Sequence, residues 1–389
     1  MIIRKVEPRI FFGMSFQPAV AVTGLRQVGK TTLVRHIQAK LGENCLYFDL
    51  EDERVLQKFS QDAATFLESV SEKTIILDEV QRMPELFPAL RGLIDRDRRP
   101  GRFVLLGSAS FALLKNTSES LTGRISYFEL HPFQLDELPN RSDLDQLWFR
   151  GGLPESYLAT SDEVQSKWMI DYIANYLERD FPQLGLSANP VLMRRLLTML
   201  ASMQGQLLNQ SSISRSLGIR LNSLADYLDF LENALFIHRL QPYFTNIGKR
   251  LTKTPKVFLR DSGLVHSLLF LPDLKQLSEH AVAGGSWEGF VLAQVLPLLK
   301  PHQLPFFYRT ADGSELDLVI EEAGKIRLAI EVKRSDTVKI TKGTTTAVQD
   351  LGYPHLLLIT PGSDNYLLRR GMEVCPVTML PQKLEEYLS

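Results

Sequence analysis

Cysteine is scarce in this sequence: two residues in 389, Cys45 and Cys375, each inside an apolar stretch. That scarcity excludes a disulfide framework and a thiolate metal cluster, and it fits a reducing compartment, so a cytoplasmic location is expected. Long hydrophobic runs are missing too. None approaches ~18 residues, and the start, Met1 to Glu7 and onward, has an acid and a proline where a signal peptide needs continuous apolar sequence. Neither export nor a membrane span is expected. No charge sign dominates, since the formal net charge is -1. A global basic field that would draw the whole molecule onto nucleic acid is therefore excluded, leaving local patches. Internal repeats and low-complexity segments are also absent, which excludes a solenoid.

What is present is enough chain for two or three cored domains. From Pro18 to about Leu130, short β-rich runs alternate with helical stretches, the rhythm of an α/β parallel sheet with helices on both faces. From about Phe149 to Leu240 the periodicity is helical, as in Trp168, Tyr172, Tyr176 and Arg179. After Trp287 an apolar helix precedes alternating strands, a further α/β unit. The expected domains are 1–148, 149–280 and 281–389.

Gly24-Leu25-Arg26-Gln27-Val28-Gly29-Lys30-Thr31-Thr32 matches the P-loop pattern and lies between a β-branched run and a helix. Its glycines let the backbone wrap phosphate, and the loop and helix N–H groups bind the anion. Lys30 would reach the β- and γ-phosphates of ATP, and Thr31 would place its hydroxyl on Mg²⁺. The required acidic partner is Asp78, which ends the run Thr74 to Asp78 and would hold the Mg²⁺ shell; Glu79 would orient or activate the attacking water. Ser108, closing Arg102 to Ser108, is a candidate γ-phosphate sensor. Arg124, in Leu121 to Arg124, would stabilise transferred phosphate in cis or reach a neighbouring subunit of a homo-oligomer.

Together with Leu77-Asp-Glu-Val-Gln81, Leu106-Gly-Ser-Ala-Ser110 and Arg150-Gly-Gly-Leu-Pro-Glu155, these segments resemble the AAA-type ATPases of bacteria and archaea that carry a C-terminal domain of unknown function. Tyr176-Leu-Glu-Arg-Asp180, Pro255 to Gly263 and Trp287-Glu288 extend the likeness over nearly the whole chain. The resemblance implies an ATPase core, a helical middle and a nuclease-like end.

In the middle, a short helix Ser211 to Leu217, a turn at Gly218, a longer helix with Leu221, Leu224, Leu228 and Leu231, and a strand from Ile237 follow the order of a winged helix. Arg220, Asn222 and Ser223 would face DNA. Phe244 to Arg260 adds Lys249, Arg250, Lys253, Lys256 and Arg260 without an acid, a stretch able to neutralise phosphates.

Near the C-terminus, Glu315 to Ile320 and Ile326 to Lys333 alternate about a turn at Ala323-Gly324-Lys325. Symmetric pairing about Gly324 sets Asp317 opposite Glu331, with Lys333 on the same face. This set resembles the PD-(D/E)XK core of restriction-endonuclease-like α/β domains, which implies Asp317 and Glu331 as Mg²⁺ ligands and Lys333 as the aid to the attacking water. Glu288 resembles the upstream helix acid of that fold and joins the metal set. Two functions follow as expectations. One is an ATP-driven machine acting on duplex or branched DNA, remodelling strands or junctions; the other is a nucleotide-dependent switch that contacts protein partners, with a silent C-terminal domain.

Overall fold

The computed structural model describes residues 2–108, 121–139, 143–244, 251–335, 338–352 and 354–388. They divide into two compact units, Met1–Pro132 with Asn233–Leu235, and Phe133–Glu232 with Phe236–Ser389. The middle and C-terminal segments therefore share one unit, whereas the sequence suggests a break near residue 281.

The first unit is built on five parallel strands: β1 (Ala19–Thr23), β2 (Cys45–Asp49), β3 (Thr74–Asp78), β4 (Phe103–Gly107) and β5 (Ile125–Glu129). Their order is β2-β3-β4-β1-β5. Every residue of β1, β3 and β4 is buried, the continuous apolar signature of a sheet covered on both faces. Alternation then assigns the faces. Ala19, Ala21, Ile75, Leu77, Phe103 and Leu105 pack with residues of α3 (Glu53–Ser69) and α4 (Leu86–Arg96). Against the sheet also pack α1 (Val6–Met14) and α2 (Lys30–Leu41), α1 so close that a Cβ on Gly13 would stand 2.7 Å from the Phe128 ring.

The second unit starts with helices, among them α5 (Leu144–Arg150), α6 (Asp162–Asn175) and α7 (Pro190–Ser202). There follow α8 (Gln210–Leu217), a left-handed Gly218 that caps it, and α9 (Leu221–Asn233). An antiparallel ribbon, β6 (Ile237–Leu240) with β7 (Lys256–Leu259), comes next. After α10 (Ser262–Leu268) and α11 (Ala283–Val295) stands a mixed six-stranded sheet in the order β12-β13-β11-β10-β9-β8. Its strands are β8 (Gln303–Arg309), β9 (Glu315–Glu322), β10 (Lys325–Val332), β11 (His355–Thr360), β12 (Tyr366–Arg369) and β13 (Met372–Pro376), with α12 (Lys342–Asp350) and α13 (Leu380–Leu388) beside them.

The β9–β10 turn is tighter than the sequence suggests. Ala323 and Gly324 alone take positive φ, 52° and 79°, as a two-residue hairpin loop requires, and Lys325 already pairs with Glu322. A shift between Ile326 and Leu328 then restores symmetry about residue 324, ending at Ile330 opposite Leu318. The paired register ends there, one residue short of Asp317 and Glu331.

Candidate functional site

The P-loop joins β1 to α2 at the C-terminal edge of the first sheet. Gly24 (φ 155°) has no room for a side chain, because a Cβ would meet the Leu130 carbonyl at 2.4 Å. Gln27 (φ 61°) and Gly29 (φ 97°) complete the turn, and buried Leu25 and Val28 anchor it. No side chain caps the N-terminus of α2, so its first N–H groups are directed at the loop's concavity. Lys30 is buried and its Nζ donates to the carbonyls of Gly24 and Leu25, 3.0 Å each. Burial lowers its pKa, opposed by the charges of Glu79 and Asp78. Arg26 reaches out to Glu51 at 2.9 Å; Thr32, the next helix residue after Thr31, is exposed.

Asp78 meets this loop from β3. Its Oδ2 accepts from the Thr31 hydroxyl at 2.8 Å and from Tyr47 OH at 2.6 Å, and its Oδ1 accepts from the Glu79 N–H. The side chains of Thr31 and Asp78 are thus in contact at a helix N-terminus, a donor set of hard oxygens that suits Mg²⁺ beside a bound triphosphate. Glu79 adopts left-handed backbone geometry (φ 54°, ψ 44°), a strained conformation for a non-glycine residue and of the kind that collects at functional sites. Burial pushes its carboxyl up, against the attraction of Lys30 and with Asp78 adding to the rise.

Two of the partners escaped the sequence reading. Gln81 Nε2 donates to Glu79 Oε2 and, at 2.8 Å, to Ser108 Oγ, while Ser108 Oγ lies 3.3 Å from the same carboxylate oxygen. Tyr47 is held over Arg35, 3.5 Å from guanidinium to ring centre. Gln81 stands in the quoted segment after Asp78, so its place two residues beyond Glu79 was a usable signal; nothing in the sequence marks Tyr47. Gln81→Ala is expected to lower kcat for ATP by about 10–10² with little change in KM, since it frees the orientation of Glu79 without touching the phosphate cradle. Steady-state ATP turnover checks the split.

The sequence matches three family models: an AAA domain at residues 16–139, a domain of unknown function (DUF8612) at 141–275 and a domain of unknown function (DUF4143) at 283–380. It is 40% identical over 363 residues to the uncharacterized protein Rv2008c of Mycobacterium tuberculosis, covering 93% of this chain and 81% of that protein. The chain belongs to that family. An uncharacterized protein of Haemophilus influenzae is 25% identical over 278 residues, 62% of this chain and 67% of its own length. Among solved structures, the Walker-type ATPase of Pyrococcus abyssi aligns at a TM-score of 0.46 and 15% identity, over 69% of this chain and 96% of that one.

In this AAA-domain chain, Arg124 stands elsewhere than a cis role needs. Its carbonyl accepts from Ala19 N–H at the start of β1, whereas the P-loop follows the end of that strand. In a parallel sheet that separates the two by a strand length, roughly 13 Å for five residues. The guanidinium instead grips Asp95 of α4 at 2.7 and 3.0 Å. A cis contribution to ATP chemistry is corrected accordingly. Ala109 and Ser110, quoted beside Ser108, and Lys249 and Arg250 lie outside the described residues.

In the second unit the expected acids do approach one another, but around a lysine. Lys256 Nζ lies 2.8 Å from Glu288, 2.9 Å from Glu315 and 3.5 Å from Asp317. Lys333 Nζ donates to Glu331 Oε1 at 2.7 Å. Burial and then the charge of Asp317 push Glu288 up to about 8 and Glu331 up to about 7. Burial alone would lower Lys256, yet Glu288, Asp317 and Glu315 outweigh it and raise it. Among the described residues, no group of three or more His, Cys, Asp or Glu side chains is arranged to hold a metal ion. Lys256 itself, read from sequence as a phosphate contact, is 2% exposed and cannot serve as one.

Two segments that carried the resemblance turn out to pack together. The Asp261 carboxylate accepts from Gly152 N–H at 2.8 Å and caps α10 through Leu264 N–H at 3.1 Å. Gly263 approaches so closely that a Cβ there would stand 2.2 Å from the Arg150 carbonyl. These residues fix backbone geometry in the second unit.

Proposed function

We propose that the chain hydrolyses ATP at the P-loop and uses the nucleotide cycle to act on DNA. The observation that carries hydrolysis is the position of Glu79: a carboxyl with a raised pKa, tethered by Gln81 and Ser108 beside the Thr31–Asp78 pair. The loop N–H groups and Lys30 would bind the triphosphate, and Thr31 and Asp78 would hold Mg²⁺ and its water shell. Bound Mg²⁺ supplies neutralisation of charge on the β- and γ-phosphates. Glu79 orients the attacking water and accepts its proton, a task suited to a carboxyl of raised pKa.

The DNA reading is supported by the order of α8, Gly218, α9 and the β6–β7 ribbon, which is that of a winged helix, with Arg220 and Asn222 exposed at the entry to α9. The test is ATP turnover with single-stranded, duplex and branched DNA, in wild type and in Lys30→Ala. Turnover that disappears in Lys30→Ala and is stimulated by DNA in a salt-sensitive way supports both parts. Turnover that survives Lys30→Ala removes the site assignment. Hydrolysis indifferent to DNA, with no salt-sensitive binding, removes DNA and leaves the switch that contacts proteins.

A further inference from the structure

The C-terminal acids do not fit a Mg²⁺ site as they stand, and the misfit has a specific cause. Mg²⁺ demands near-octahedral oxygen coordination and keeps several waters. Beside Glu288 and Asp317 there is a cavity of only about 10 Å³, walled by Leu240, Phe258, Leu292 and Leu318, which is one water at most. Most of the carboxylate oxygens are also engaged. Glu288 Oε1 faces Lys256, and its Oε2 lies beside Gly205, which carries no side chain. Asp317 Oδ2 accepts from Val332 N–H at 2.8 Å and its Oδ1 faces Lys256. Glu315 is shared between Lys256 and Arg309, and Glu331 Oε1 takes Lys333. Glu331 Oε2 is buried and makes no hydrogen bond.

Lys256 is not a side chain that has wandered in. Its backbone pairs with Leu240 across the ribbon and bridges to Leu207 on the other side. Flanking bonds from Leu208 N–H to Pro255 O (2.8 Å) and from Val257 N–H to Gln206 O (3.1 Å) fix its register. The ribbon is tied to β8 as well, by Tyr243 N–H to Phe307 O at 2.7 Å and Thr252 N–H to Arg309 O at 3.1 Å. An ammonium delivered by so constrained a backbone is a fixed part of the site.

We propose that Lys256 is a built-in cation of the Glu288–Glu315–Asp317 cluster, standing where a divalent metal would otherwise be bound, and that it closes this unit to metal-dependent cleavage in the conformation described. The proposal is independent of the ATP reading, because it concerns a different set of residues and a different ligand.

The test is Mn²⁺ binding to the full-length, nucleotide-free protein, followed by electron paramagnetic resonance, in wild type, Lys256→Ala and Lys256→Ala/Asp317→Asn. Lys256→Ala is expected to bind a Mn²⁺ ion at least about tenfold more tightly than any site in wild type, and the double variant to lose it. Wild-type protein that already binds Mn²⁺ in a manner abolished by Asp317→Asn alone would overturn the proposal, since metal and lysine would then coexist. So would a folded Lys256→Ala protein with no gain in Mn²⁺ binding. Should Lys256→Ala fail to fold, Lys256→Met keeps most of the side-chain volume while removing the charge, and the wild-type titration with its Asp317→Asn control decides the question without either variant.

Discussion

Glu79→Gln is expected to reduce kcat for ATP about 10²–10⁴-fold while leaving nucleotide affinity nearly unchanged. The substitution preserves the size of the side chain and its approach to Gln81 and Ser108, but removes the group able to accept a proton. Phosphate-binding elements, the Lys30 ammonium and the loop N–H groups, are untouched. The pH profile adds a second readout. Glu79 is raised above the usual glutamate range by burial, so wild-type turnover should fall on acidification as that carboxyl becomes protonated, and should be retained above its pKa. In Glu79→Gln that acid limb should vanish from the residual activity. Steady-state kinetics combined with a fluorescent-nucleotide binding curve separates the outcomes: an equal loss in affinity would make Glu79 a binding residue, and full activity would remove it from the chemistry.

The largest structural effect is expected at Gly151. Its φ of +77° is unfavourable to a residue with a Cβ, and that Cβ would lie 2.1 Å from Asp261 Oδ1. Any relief requires Asp261 to withdraw from Gly152 N–H and from the N-terminus of α10, leaving a buried carboxylate without its donors. Left-handed strain and overpacking together give Gly151→Ala a cost of roughly 2–5 kcal/mol. Gly185 supplies the control: its φ is +91°, but nothing lies within 4 Å of an added Cβ. Gly185→Ala should therefore cost only the backbone part, about 1–2 kcal/mol. Denaturant unfolding of the two variants side by side measures the difference, and equal destabilisation would show that the Asp261 contact carries no weight.

The parts of the fold that were legible in sequence are those with local causes. A run of β-branched residues, a glycine pattern and a helix start define the P-loop wherever they occur, and Asp78 at the end of an apolar strand follows from the same logic. The β9–β10 hairpin was readable because alternation fixes which residues share a face, and after an unforeseen bulge the register returns to symmetry about residue 324. What escaped was non-local. Arg124 reads as a cis contributor only until the strand direction puts it at the opposite end of the strands from Gly24. Lys256 sits in a basic stretch that looks solvated, and only the pairing of β7 with Leu207 and Leu240 turns it inward among acids that lie 32 to 61 residues further along the chain. Short peripheral strands such as β12, exposed along its length, carry too little apolar alternation to announce themselves.

The lysine at the centre of the acid cluster also bears on where this chain can be cut. A fragment ending near residue 281 would respect the change in sequence pattern and the gap between the two family models, yet it would strand Lys256 with an apolar surround and no counter-charge. The complementary fragment would keep Glu288, Glu315 and Asp317 crowded together without their cation. Each half would inherit an electrostatic debt that the intact unit does not have. The boundary visible in the sequence is thus a change in composition and in family match, while the division between the two compact units lies near residue 132.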